Sequence, residues 1–232
     1  MKQAAMHALA EVPVQAARGK AAPEGRLTDL LGTRCLPVAT CKPGTTIIRQ
    51  GENTKSMYFV REGKVLLSRL SYSGNETIIG FAVAGDFFGE VPLVDSGVAP
   101  FSATTAKRTV LIEIRRDDFT CLMQDPAFAA IILQIVAQRC TDAWNQIEVL
   151  GCGPLQERLV PALSWLCRRI GKKTPEGIEL QVSQTQLARM IGVARESLNR
   201  QLRALRKASV LRVKSSAGRS CMIIRTPEAL SC

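Results

Sequence analysis

Histidine is almost missing from this chain: His7 is the only one in 232 residues. That removes the Ser–His and Cys–His pairings of nucleophilic catalysis and the His-rich ligand sets of transition-metal sites. No C-x-x-C pair exists among the eight cysteines, at 35, 41, 121, 140, 152, 167, 221 and 232, so the usual zinc spacings are absent too. Their scatter, in a chain with no export signal, argues for reduced thiols rather than a disulfide scaffold. There is no phosphate-cradling glycine loop and no cluster of metal ligands, so neither an enzyme nor a metal site is expected. No apolar run approaches the roughly 20 residues of a membrane span. The first 26 residues, Ala-rich and broken by Pro13 and Pro23, lack the apolar core of a signal peptide and are expected to be a disordered tail. A cytoplasmic protein with no membrane partner is the expectation.

What the chain does have is positive charge, unevenly spread. The whole is +11, from 31 Lys and Arg against 20 Asp and Glu. Residues 151–232 hold 15 basic and 5 acidic side chains, which is +10 of that excess, and residues 1–150 are close to neutral at +1. A basic module at one end is what phosphate tracking requires. A basic membrane surface would need an amphipathic helix with a free apolar face.

The basic third contains VSQTQLARMIGVARESLNRQLRALRKASVL, residues 182–211. Leu187 and Ile191 are four apart and form the inner face of one short helix. Gly192 supplies the turn. Leu198, Leu202 and Leu205 follow at spacings of four and three, a buried stripe on a second helix. Arg195, Glu196, Asn199, Arg200 and Arg203 then share the opposite face. Arg can pair bidentately with guanine, Glu can accept from the cytosine amino group, and Asn can read adenine. Leu211–Val213 and Cys221–Ile224 suit a hairpin, with KSSAGR as a basic tip over the phosphate backbone.

This segment resembles the recognition motif of the cyclic-AMP receptor protein/FNR superfamily of bacterial transcription regulators. Arg195-Glu196 followed by Arg200 matches the Arg-Glu-x-x-x-Arg triplet of the cyclic-AMP receptor branch. The resemblance implies base reading by Arg195, Glu196 and Arg200, with Asn199 as a weaker contact. Ser183, Gln184, Thr185, Arg203 and Lys214 would mainly hold phosphates.

Residues 27–124 read as an all-β domain. Glycines punctuate short apolar stretches, and strands are expected over Thr45–Arg49, Met57–Arg61, Lys64–Leu70, Glu76–Ala82 and Thr109–Ile114. The strings KPGTTIIRQGE, YFVREGKVLL, AGDFFGEVPL and FSATT resemble the cyclic-nucleotide-binding β-roll of the same superfamily. The effector site implied by that resemblance is Gly89, Glu90, Phe101, Ser102 and Trp144. It departs from the cyclic-AMP branch. The Arg that pairs with the cyclic phosphate there is Phe101 here, or Pro100 in a register one residue away, and no Lys or Arg occurs between Arg69 and Lys107. The Thr-Ser pair that reads adenine corresponds to about Ala143-Trp144. Burying a phosphodiester without a cation is costly, so cyclic AMP is not the expected effector. The FNR branch carries a four-Cys iron–sulfur site, but only Cys35 and Cys41 lie near that region here. Haem sensors of the superfamily use axial ligands, often His or Cys with an N-terminal group, and here the one histidine is His7 in the tail, so neither haem nor an iron–sulfur cluster is supported and the cofactor stays open.

Residues 125–150 read as one helix, with Asp125 as N-cap and Pro126 in the first turn. Ala129, Ile132, Val136, Cys140, Ala143, Ile147 and Leu150 recur at heptad spacing, a seam for a second copy of the helix. Phe128, Ile131, Ile135 and Trp144 lie beside the seam, ready to pack on the β-roll. Gly151-Cys152-Gly153-Pro154 ends the helix. Residues 155–170 resume as a helix that Pro161 should kink or interrupt.

The expected molecule is α+β: a tail (1–26), a β-roll sensor (27–124), a dimer helix (125–150) and a winged helix-turn-helix (151–232). The expected role is a homodimeric transcription regulator that binds double-stranded DNA at a palindrome with TGTGA-like half-sites and works with RNA polymerase. The rival is a ligand-binding module that controls a protein partner without touching DNA. A neutral C-terminal third or a missing Arg-Glu-x-x-x-Arg would favour that rival, and neither is found.

Overall fold

The computed structural model describes residue 31 and residues 35–95, 97–151, 153–216 and 219–225. The expected tail, with His7, lies outside these residues, as do Cys152, Cys232 and the tip residues 217–218 of KSSAGR. The chain divides into two compact units, with the division between Asp142 and Ala143.

Among the described residues the first unit is built from eight strands. These are β1 (Val38–Cys41), β2 (Thr46–Ile48), β3 (Ser56–Glu62), β4 (Lys64–Leu70), β5 (Glu76–Val83), β6 (Phe87–Phe88), β7 (Ser102–Thr105) and β8 (Thr109–Arg115). They form two antiparallel four-stranded sheets, ordered β1-β8-β3-β6 and β2-β7-β4-β5. Side chains alternate across a strand with period two, and β3 uses both of its faces. Val60 joins Ile48, Val65, Leu67, Phe88, Phe101 and Leu111 in a core drawn from both sheets. Met57 and Phe59 point the other way. They pack with Phe87, Ile114, Phe119, Leu122, Phe128 and Ile132, which brings in the helices α2 (Arg116–Leu122) and the start of α3 (Pro126–Gly151). A one-turn helix, α1 (Val91–Val94), precedes β7.

Asp125 starts α3 as expected, its Oδ1 accepting from the Ala127 amide at 2.8 Å. Phe128, Ile131 and Ile135 pack on the β-rich core as the sequence suggests. Ile132 corrects the expected seam. It is 4% exposed and buried in that same core, so it is not available to a partner helix. The apolar side chains that α3 leaves open include Leu133 (70% exposed), Trp144 (68%) and Ile147 (66%), with Val136 and Leu150 partly open. Trp144 therefore does not pack inward, contrary to the expectation. Cys140 and Ala143 are also exposed.

The second unit holds α4 (Leu155–Ile170), β9 (Lys172–Thr174), β10 (Gly177–Leu180), α5 (Gln184–Ile191), α6 (Arg195–Lys207), β11 (Leu211–Ser216) and β12 (Arg219–Ile224). Its sheet is antiparallel and ordered β11-β12-β10-β9. Pro161 lies inside α4, which runs unbroken from Leu155 to Ile170, so of the expected kink or interruption the interruption does not occur. Leu159 and the unbroken run Ala162–Cys167 are buried, and that burial outweighs the one backbone bond a proline removes. Burial also pushes the Cys167 thiol up to about 12, which makes it inert. No single described helix is long and apolar enough to cross a membrane. Only α2 and α3 taken together, bent by 112°, have the length and composition, and their apolar residues Phe119, Leu122, Phe128 and Ile132 are committed to the β-rich core.

Candidate nucleic-acid interface and sensor site

The helix-turn-helix begins at Ser183. Its hydroxyl accepts from the Gln186 amide at 3.1 Å, and Gln186 Oε1 accepts from the Ser183 amide at 3.0 Å. This reciprocal cap satisfies two donors that a helix start leaves open. Ser183 thus has a structural task beside any phosphate contact. Gln186 was missed in the sequence, although the signal, Ser followed by Gln three residues on, is visible there. Leu187 and Ile191 are buried as expected. Gly192 closes α5 in the left-handed region (φ 67°, ψ 41°), and its amide donates to the Ala188 carbonyl.

On α6 the expected division of faces is present. Leu198 and Leu202 are buried, while Leu205 is only half-buried. Arg195, Glu196, Arg200 and Arg203 are exposed, and Asn199 is half-buried. These five span just over two turns of one helix. The structure therefore keeps them on one outward face above an apolar floor. Thr185 is exposed and Gln184 half-buried at the start of α5.

The hairpin extends beyond the expected strands at its inner end, by three residues on β11 and two on β12. Lys214, expected at phosphate, is here engaged by a carboxylate. Its Nζ donates to Glu176 Oε1, and Arg212 Nη1 lies 3.8 Å from Glu176 Oε2. Glu176 sits in the turn between β9 and β10, two strands for which the sequence carries no clear pattern. The Lys214 hydrogen bond, with the charges of Lys214, Arg212 and Arg225, holds its carboxyl below the usual range.

In the β-rich unit, Gly89 and Glu90 follow β6 directly. Glu90 is 1% exposed. Its Oε1 lies 3.5 Å from Nε of Arg139 on α3, and its Oε2 has no hydrogen-bond partner among the described residues. Arg139 also donates to the Phe87 carbonyl at 2.9 Å. So a cation does stand beside Glu90, although none occurs between Arg69 and Lys107. It arrives from 49 positions later in the chain. Phe101 is 7% exposed and belongs to the apolar core between the sheets. Ser102 Oγ accepts from the Gln50 amide at 3.0 Å, which fixes β7 to the segment after β2. Gly89, Glu90, Phe101 and Ser102 thus lie in one unit, while Trp144 belongs to the other. A cyclic phosphate does not fit this set: the position expected to pair with it is an apolar core residue, and Arg139 is already matched by Glu90. In the same unit, Lys64 is buried with its Nζ 4.1 Å from the Phe81 ring centroid. Burial, helped by Lys107, lowers it to about 8. Among the described residues no group of His, Cys, Asp and Glu could hold a metal ion.

Comparison with known proteins agrees with both units. Residues 38–125 match the cyclic nucleotide-binding domain, and residues 157–232 match the Crp-like helix-turn-helix domain. The chain is 30% identical over 171 residues to the cyclic AMP receptor protein of Thermus thermophilus, covering 73% of this chain and 77% of that one. It is 27% identical over 208 residues to the global nitrogen regulator of Synechocystis, covering 87% and 91%. Among solved structures, FixK2 of Bradyrhizobium japonicum aligns with a TM-score of 0.70 at 19% identity, covering 85% of this chain and 96% of that one. The c-di-GMP responsive global regulator CLP of Xanthomonas campestris aligns at 0.67 and 23% identity, covering 82% and 94%. At such identities these structures speak for the fold alone. With its β-roll, long helix and helix-turn-helix in that order, the chain belongs to the cyclic-AMP receptor protein/FNR superfamily of transcription regulators.

Proposed function

We propose that the chain acts as a homodimer that reads an inverted repeat in double-stranded DNA through α6. The observation that carries this is the outward face of Arg195, Glu196, Asn199 and Arg200 over buried Leu198 and Leu202. Arg195, Glu196 and Arg200 read bases in TGTGA-like half-sites about one DNA turn apart. Ser183, Gln184, Thr185, Arg203 and Lys214 hold phosphates. Dimerisation is supported by the open apolar stripe of α3. Leu133, Val136, Cys140, Ala143 or Trp144, Ile147 and Leu150 recur at spacings of three and four. Leu133 takes the place in the seam that Ile132 was expected to fill.

The β-roll senses an effector other than cyclic AMP. Glu90 Oε2, buried and without a partner among the described residues, suits a ligand that donates a hydrogen bond. Phe101 offers nothing to a phosphate. The chain works by binding rather than catalysis, in the cytoplasm, and meets RNA polymerase at its promoters. Selection from a random duplex library tests the central claim. Enrichment of a TGTGA-like inverted repeat by a species that sediments as a dimer is the expected result. Enrichment of no repeat would refute it. Calorimetric titration with cyclic AMP should show no micromolar binding.

A further inference from the structure

The cations of the wing do not face solvent alone. Arg212 and Lys214 are two residues apart on β11, so their side chains leave the same face of the strand. Both reach Glu176, which is 38 positions from Lys214 in sequence and stands past β12 in the β9–β10 turn. All three side chains are substantially exposed. The turn that presents Glu176 is held firmly. Thr174 Oγ1 donates to the Gly177 carbonyl at 2.8 Å. Gly177 has φ +130°, and a Cβ there would fall 2.2 Å from the Ile224 carbonyl oxygen. The backbone of the turn is therefore pressed against the end of β12, the strand that pairs with β11.

We propose that Glu176 is a positioning residue that masks the wing, holding Arg212 and Lys214 in the free protein and releasing them only to DNA phosphate. The mask rests on the DNA-binding reading of this unit and adds to it a limit on non-specific affinity. Carboxylate and phosphodiester compete for the same guanidinium and ammonium donors, since both accept charge-assisted hydrogen bonds. An exposed ion pair is weak in water, so a polyanion at contact distance can displace it. Before contact, the carboxylate cancels one of the two positive charges. The carboxyl is held below its usual range by Lys214, Arg212 and Arg225. It therefore stays ionised around neutral pH, and the mask answers to salt and DNA rather than to protons. Arg225 lies at the end of β12, beside the turn, and adds a third charge to the same neighbourhood.

Glu176→Gln tests the mask, because it keeps the shape of the side chain and removes the charge. Full-length parent and variant are titrated with a random-sequence duplex and with the selected repeat, between about 50 and 200 mM salt. Glu176→Gln should tighten both complexes equally at low salt. Its plot of log affinity against log salt should steepen by about one, which makes the gain about three- to fourfold larger at the low end than at the high end of that range. Adding Arg212→Ala and Lys214→Ala should abolish the gain, and Glu176→Asp should stay near the parent. Unchanged or weaker binding by Glu176→Gln, while Arg200→Ala still relaxes base preference, overturns the mask and leaves the DNA reading intact. Absence of any duplex binding by the parent overturns both.

Discussion

In the β-rich unit the charges that matter are drawn into the fold: Glu90 beside Arg139, Lys64 over the Phe81 ring. In the helix-turn-helix unit Arg195, Glu196, Arg200 and Arg203 stand in solvent above an apolar floor of Leu198 and Leu202. Removing a charge in the first unit changes the fold's own energy, because low dielectric makes an unmatched charge expensive. Removing one from α6 leaves the fold alone and changes only what the helix can bind. The wing lies between these extremes. Its cations are exposed yet already paired, so a change there alters binding by altering a competitor. Four substitutions test this contrast.

The largest effect should follow Arg139→Met. It leaves Glu90 as a buried carboxylate with no cation, a change that costs about 3–5 kcal/mol. Urea unfolding of the full chain measures it. Adding Glu90→Gln should restore much of the loss, and a double variant as unstable as the single would deny the pair any role.

Lys64 comes next, and its effect depends on pH. Its folded value of about 8 lies below the ordinary 10.5. Between these values the unfolded chain binds more protons than the folded one, so stability rises with pH across that window. Below pH 8 the charged ammonium carries its full burial cost, on the order of 3 kcal/mol. Lys64→Met should therefore be more stable than the parent at pH 7, and the gap should close as pH climbs toward 10.5. A gap that stays constant with pH would show that Lys64 is not held near 8.

Arg200→Ala should leave the melting temperature unchanged. Its loss is expected in DNA, about 1–3 kcal/mol, concentrated at one base pair. Equal weakening on every sequence would move Arg200 from base reading to phosphate holding. The smallest effect belongs to Ser183→Ala, which removes one half of the cap on α5 at a cost of about 1 kcal/mol. Here melting and DNA affinity should fall together, since the cap sets the start of the helix that precedes α6. A change in affinity alone would mark the hydroxyl as a phosphate ligand.

Legibility followed the same contrast. The period of Leu187, Ile191, Leu198 and Leu202 announces two amphipathic helices, and the residues left outside form the exposed polar face of α6. Local spacing suffices there, because helix geometry converts it directly into a face. The strand β4 is legible to the residue, Lys64–Leu70. The strands β9 and β10 are not, because Lys172-Lys173-Thr174 offers no apolar alternation and the signal in Ile178-Glu179-Leu180 is only three residues long. The heptad count on α3 finds the right helix but assigns Ile132 to the wrong side. One helix here serves two apolar surfaces, and the periodicity of α3 cannot say which stripe meets the sheet.

Local spacing in the chain fixes the polar outer face of α6, the Asp125 start of α3, the turn at Gly192 and the concentration of charge in the last third. Each of these depends on residues within a few positions of one another. Long-range packing alone sets Arg139 against Glu90, turns Ile132 inward while Leu133 stays open, and gives Lys214 to Glu176. These pairings join residues brought together by sheet order and helix docking, and no local period encodes a contact that long-range packing creates.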